Sequence, residues 1–271
     1  MKKNNFTSRV FLPFFLLLSL LPYACNNDFF EDHPCCTEAR KALKSALSAD
    51  SVKIKAIEVA KEKLDAEKLN FIEKLGIYNA FLRAYLNGPS NSTTRTQQRT
   101  LFLAARNSLV TALGTYVTKS TDRWLTMVNV NSAQVTLATC IRANCPPIDS
   151  CCPSEKTAEH AAILAKELQL FRIANYTDFI AKYNEQLAII IASINALTEF
   201  DKTNCDKQNR QQCIDLGDEV FLHTSDKNPF IDARKPLLEL LELAEVIRAQ
   251  REGDLIKATK AKTDCEKGCP K

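Results

Sequence analysis

The chain has 271 residues, 45% hydrophobic and 25% charged, the balance of a folded protein rather than a disordered or collagen-like one. Its formal charge of +4 comes mostly from Lys2, Lys3 and Arg9; without them it falls to +1, so no basic surface for nucleic acid is implied. Only six glycines occur, and the ten prolines sit mostly near the N-terminus or in connections, so long stretches are free of helix breakers.

Lys2, Lys3 and Arg9 precede an apolar run from Val10 to Leu21 that is too short for a comfortable membrane span. The run ends at Leu21-Pro-Tyr-Ala-Cys25. These five residues resemble the lipobox that closes the signal peptide of bacterial lipoproteins, with Pro22 and Tyr23 in place of its usual small or branched residues. The resemblance implies a signal peptide over residues 1–24, a palmitate-bearing lipid anchor on Cys25, a short tether over 25–36 and a folded domain over 37–271. Ordinary secretion, with cleavage after Ala24, and an uncleaved anchor are the rival readings. No later stretch is long and apolar enough for a membrane helix.

Eleven cysteines less Cys25 leave ten, suited to five bridges in an oxidising, extracytoplasmic compartment. All ten, Cys35, Cys36, Cys140, Cys145, Cys151, Cys152, Cys205, Cys213, Cys265 and Cys269, are therefore candidate disulfide residues.

A first helix is expected from Thr37, a plausible N-cap, to Asn87-Gly-Pro89. Ile57, Leu64, Phe71, Leu75, Tyr78, Leu82 and Tyr85 form its apolar stripe, with Lys61 and Lys68 snorkelling at its edge. Ser90 to Arg99 reads as a polar surface loop giving way to a second helix. That helix carries Phe102, Ala105, Leu109, Ala112, Tyr116, Trp124, Met127, Val135, Ala138 and Ile141 inward, with a kink expected near Val128–Val135. Trp124 reads as a core anchor, with ligand stacking the lesser alternative.

Asn144-Cys-Pro-Pro-Ile-Asp-Ser-Cys-Cys-Pro153 must turn the chain, because proline lacks an N–H and restricts the residue before it. A third helix, capped near Ser154, follows with Ala161, Ala165, Leu168, Phe179, Tyr183, Leu187, Ile190, Ile194 and Leu197 on one face. Residues 205–229 read as irregular, with one short helix between Lys207 and Leu222. A fourth long helix is expected with Pro236 in its first turn and an interruption at Gly253.

The fold class is thus all-α: an elongated antiparallel bundle of about four long helices, stapled by disulfides mainly at one end. Three helices of about 45 residues would each run roughly 65–75 Å. Two sub-bundles are the alternative. Up-down topology gathers eight cysteines at one pole, beside the anchor, and leaves Cys205 and Cys213 to pair at the other. The turn at 144–153 then becomes the middle of a cap clamping all four helices. The segments 88–99 and 201–235 project away from the membrane.

Signatures of catalysis are missing. There is no Cys-x-x-Cys, Gly-x-Gly-x-x-Gly, P-loop, His-Glu-x-x-His or Gly-x-Ser-x-Gly. Serines, acids and the three histidines, His33, His160 and His223, are present, but no pattern singles out a nucleophile. Glu219 and His223, four apart, read as a surface pair. Zinc on the cysteines with His160 is disfavoured by bridging, and no cofactor or metal is expected. Asn91-Ser-Thr and Asn175-Tyr-Thr match the glycosylation sequon, which matters only in a eukaryotic host.

The expected function is a non-enzymatic protein-interaction or structural module on a bacterial envelope, lipid-anchored to the outer membrane or cell surface, with a protein partner. A secreted or periplasmic location is the runner-up. The alternatives are a small-ligand binder with a pocket near Trp124, Tyr116, Tyr183 and Phe179, and an extracytoplasmic enzyme.

Overall fold

The computed structural model describes residues 35–85, 92–145, 151–205 and 210–269. Cys25 with the signal peptide, the tether to residue 34 with His33, the Gly88-Pro89 stop, Asn91 and the centre of the 144–153 turn lie outside them. The described residues form an all-α, elongated bundle: α1 (Thr37–Tyr85), α2 (Ser92–Asn144), α3 (Pro153–Asn204), α4 (Arg210–Ser225) and α5 (Asn228–Glu266). Among them, no helix is long and apolar enough to cross a membrane.

Several helix boundaries depart from the sequence reading. The polar stretch before Arg99 is already helical from Ser92, and α2 runs unbroken through Val128–Val135. Its β-branched residues carry only small propensity penalties, which packing along α1 and α3 overrides. The N-cap of α3 is Cys152, not Ser154, and Pro153 takes the first turn, where its missing N–H costs nothing. α5 begins eight residues before Pro236, so Pro229 fills that role and Pro236 lies inside the helix. Gly253 does not interrupt α5. The expected short helix exists as α4, from Arg210 to Ser225.

The helices pair as two antiparallel hairpins. α1 packs most closely on α2 and α3 on α5, while the hairpins meet mainly through α2 and α3. Along that seam Asn131 Nδ2 donates to the Leu164 carbonyl at 2.9 Å and Arg142 to the Thr157 hydroxyl at 2.8 Å.

Burial along these helices is uneven. On α1, Leu64, Phe71, Leu75, Tyr78 and Leu82 are buried, whereas N-terminal to Ala60 no helical residue is. On α2 the stripe is buried at Phe102, Ala105, Leu109, Ala112 and Leu113, but Trp124, Met127, Val135, Ala138 and Ile141 are only half-buried. On α3, Phe179, Tyr183, Leu187, Ile190 and Leu197 are buried, and Ala161, Ala165 and Leu168 are half-buried. The core therefore sits in the half of the bundle far from the clustered cysteines. Phe71, Phe102, Tyr78 and Phe230 form its aromatic centre, with Tyr78 stacked on Phe102 at 5.4 Å and Phe71 5.9 Å from Phe102.

Candidate functional site

One pole of the bundle, the cysteine pole, is held by four disulfides. Cys35 bonds to Cys145 and Cys36 to Cys140, tying the start of α1 to the end of α2. Cys151 bonds to Cys269 and Cys152 to Cys265, tying the start of α3 to the end of α5. Cys205 and Cys213 close the connection between α3 and α4. Every bridge stays within one hairpin. The cap is therefore two separate clasps rather than one clamp on four helices. The reason is proximity: each cysteine doublet opens a helix whose closest neighbour is its own hairpin partner, and a bridge needs Cα atoms within about 7 Å.

The two clasps share one design. In each, the first cysteine of the doublet takes the last cysteine of the hairpin and the second takes the earlier one. The second cysteine of each doublet, Cys36 or Cys152, adopts a left-handed backbone, with φ of 66° and 58°. Its carbonyl then accepts the first helical N–H, from Arg40 or Lys156, at 3.0 Å. A non-glycine residue in that region costs about 1–2 kcal/mol, a cost met by the bridges that hold the turn. Three groups of ligand-type atoms lie within 4.8 Å of one another: Cys35–Cys36–Cys145, Cys151–Cys152–Cys269 and Cys152–Glu155–Cys265. All the cysteines in them are bridged, and a metal wants thiolate sulfur. His160 belongs to none of the three; burial, aided by Arg142, holds its pKa below the usual histidine value.

The opposite pole contains a polar cluster that the sequence reading placed on the surface. Glu219, His223 and Asp226 are buried, His223 completely. Helix periodicity puts Glu219 and His223 on one face of α4, and that face turns inward onto Tyr78 of α1 and Ser193 of α3. Tyr78 of α1 donates its hydroxyl to Glu219 at 2.5 Å. Arg95 and Arg99 of α2 approach the same carboxylate at 3.6 and 3.5 Å. Asp226 accepts from Arg106 at 2.9 Å and Arg99 at 3.4 Å. Its second oxygen lies 2.7 Å from His223 Nδ1. The His223 Nε2 lies 3.1 Å from the Ser193 hydroxyl of α3, which Asn79 of α1 also meets.

With Asp226 accepting from two guanidinium groups, the His223 Nδ1–H donates to its second oxygen. Three arginines face Asp215, Glu219 and Asp226, so the cluster is balanced in charge. Burial and the Glu219 carboxylate push the Tyr78 hydroxyl pKa well above the usual phenol range. Burial works against the Arg99 charge, but Tyr78, Asp226 and Glu219 outweigh it and raise its pKa.

Ser193, His223 and Asp226 are hydrogen-bonded in the order of a hydrolytic triad. The geometry lacks an accessible nucleophile, however, since the imidazole has no exposed surface and Ser193 is already engaged by Asn79. The cluster instead joins residues from α1, α2, α3 and α4 in one buried network. Periodicity cannot find such a group: Ser193 lies 30 residues from His223, and Asp226 sits in the turn after α4.

Outside this network, α4 turns to solvent a face that carries Ile214, Phe221 and Leu222 with Asp218 among them. Phe221 is 79% exposed, and Ile214 and Leu222 are about half exposed beside it. Ile214 and Phe221 are seven residues apart, hence on one line of the helix. Segment 201–235, expected to face outward, supplies both faces of this pole.

Of the expected ligand-pocket residues, Trp124, Phe179 and Tyr116 lie near one another, and Tyr183 is apart from the cleft. Tyr183 is buried in the core, and Tyr116 packs edge-on to Phe179 and donates to Asp178 at 3.1 Å. Trp124 and Phe179 line a half-open cleft of about 40 Å³. That is far below the roughly 300–1,000 Å³ of sites that enclose a small molecule. The chain matches no protein-family model, no curated protein and no solved structure.

Proposed function

We propose that this protein is a lipid-anchored, non-enzymatic interaction module of a bacterial envelope, held at Cys25 and meeting a protein partner through the outer face of α4. The five disulfides are consistent with an oxidising, extracytoplasmic setting. The observation that carries the reading is the contrast across α4. Its inner face is locked by Glu219 and His223, with Asp226 in the turn after it, while its outer face leaves Phe221 79% exposed. A ring that gains nothing from the core and stands on a fixed helix fits the aromatic anchor of an interface. Asp218, exposed on the same face, favours an amphipathic protein surface over acyl chains. The cysteine pole begins ten residues after Cys25, so α4 would point away from the membrane.

Two experiments test this. Metabolic labelling with palmitate should mark the chain and lose the mark in Cys25→Ser; an unlabelled wild-type chain sinks the anchor. A photo-crosslinking residue at Phe221, on intact cells, should give a discrete protein adduct that the same residue at Lys260 does not. Equal or absent adducts at both positions sink the partner face.

A further inference from the structure

The cleft at mid-bundle belongs to neither pole. Ser120, Thr121 and Trp124 of α2 and Arg172, Asn175 and Tyr176 of α3 line it. Its defining group is the Arg172 guanidinium, whose Cζ lies 5.2 Å from the Trp124 ring centre and 5.5 Å from that of Tyr176. Arg172 Nε donates to the Tyr176 hydroxyl at 3.2 Å.

Arg95, Arg99, Arg106 and Arg123 all have carboxylate partners. Among the described residues Arg172 has none, and the Asn175 amide also has no partner there. Asp178, six residues along α3 from Arg172, is taken by Tyr116 at 3.1 Å and Lys182 at 3.6 Å. Aromatic rings therefore cover the guanidinium, while its terminal nitrogens stay available in the plane. A planar carboxylate recognises that edge bidentately.

Size agrees. The cleft of about 40 Å³ admits a small polar head group such as a carboxylate but not a whole drug-sized ligand. The rest of the ligand must lie outside the cavity, along the half-exposed Trp124 ring.

We propose that this cleft binds the carboxylate of an apolar acid, with Arg172 taking the oxygens, Asn175 donating to one of them, and the apolar end lying on Trp124. The acid is either free or the C-terminal residue of a peptide, since both present the same group. Phe221 and α4 are not involved, so this site and the partner face stand or fall separately.

Trp124 is the sole tryptophan, so its fluorescence reports this cleft directly. The disulfide-intact mature chain is titrated with phenylacetate, benzyl alcohol and phenethylamine, and with Gly-Gly-Phe as the acid and as the amide. The expected result is a saturable change with phenylacetate, with the peptide acid, or with both, and none with the alcohol, amine or amide. The tighter of the two acids identifies the source. Arg172→Gln should weaken binding roughly ten- to a hundredfold, and Arg172→Lys, which keeps the charge but loses the fork, by less. Far-UV circular dichroism verifies each fold; if Arg172→Gln fails to fold, Arg172→Lys and Asn175→Ala carry the test. Equal responses to phenylacetate and benzyl alcohol, no response to either acid, or binding unchanged in every folded variant would overturn the proposal.

Discussion

The two ends of the bundle hold the same long helices together by different means. At the α4 end, aromatic side chains and a balanced network of three arginines with three carboxylates fill the space between helices. At the cysteine end the helical stripes are only half-buried, and among the described residues Leu137, Cys145 and Cys152 are the only ones there that are buried and hydrophobic. Two nested pairs of bridges take the place of a core. Each end is therefore vulnerable in its own way. The packed end depends on every partner being present, whereas the bridged end depends on the redox state of its surroundings.

The largest expected effect breaks the packed end. Asp226→Ala leaves Arg99, Arg106 and His223 facing a vacancy, and loss of one partner of a buried charge network costs about 3–5 kcal/mol. Denaturant unfolding measures this, and a loss below about 1 kcal/mol would place the network in a far wetter environment than described. Phe102→Ala should cost a similar amount, about 3–5 kcal/mol. By contrast, truncating the exposed Val59 to Ala at the bridged end should stay within about 0.5 kcal/mol.

Next comes the bridged end. Removing both Cys35–Cys145 and Cys36–Cys140 releases loops spanning 110 and 104 residues, at a cost of roughly 3–5 kcal/mol. Removing one alone should cost only about 2 kcal/mol, because its neighbour still closes the long loop. The equivalent changes at Cys151–Cys269 and Cys152–Cys265 should give the same two values if the clasps act alike. Amide exchange should speed up in the α1 and α2 ends near the clasp and hardly change around Phe102. Uniform acceleration would show that the two ends do not open independently.

A smaller change probes one bond in the network. Tyr78→Phe removes the hydroxyl donor to Glu219 but leaves Arg95 and Arg99 in place, so about 1 kcal/mol is expected.

The smallest effect is a pH dependence at the bridged end. His160 titrates below the ordinary histidine value in the folded chain, held there by burial and by Arg142. The unfolded chain therefore binds the proton first. Stability unaffected at pH 8 is lost as pH falls below about 6.5. His160→Gln should flatten that part of the profile relative to wild type; an unchanged profile would assign the acid sensitivity to other groups.

Much of this architecture is legible along the chain. The 3.6-residue spacing of Leu64, Phe71, Leu75, Tyr78 and Leu82 specifies α1 and its inward face, because a helix period needs only local information. The prolines and cysteines of 144–153 specify the reversal between α2 and α3. Antiparallel topology alone brings Cys205 close to Cys213 and gathers the other eight at one pole. Helix ends are less legible, since Ser92–Arg99 and Pro236 are unfavourable only by amounts that tertiary contacts outweigh.

Local periodicity and chain reversal thus suffice for an all-helical, disulfide-stapled bundle. The fold supplies how the eight clustered cysteines pair, with every bridge inside one hairpin, and the burial of His223. Both depend on which helices are nearest neighbours across a hundred residues. That is a matter of packing, to which helical periodicity is blind. It also placed Arg172 beside Trp124, two residues 48 apart whose adjacency makes a cleft out of an ordinary arginine and a lone tryptophan.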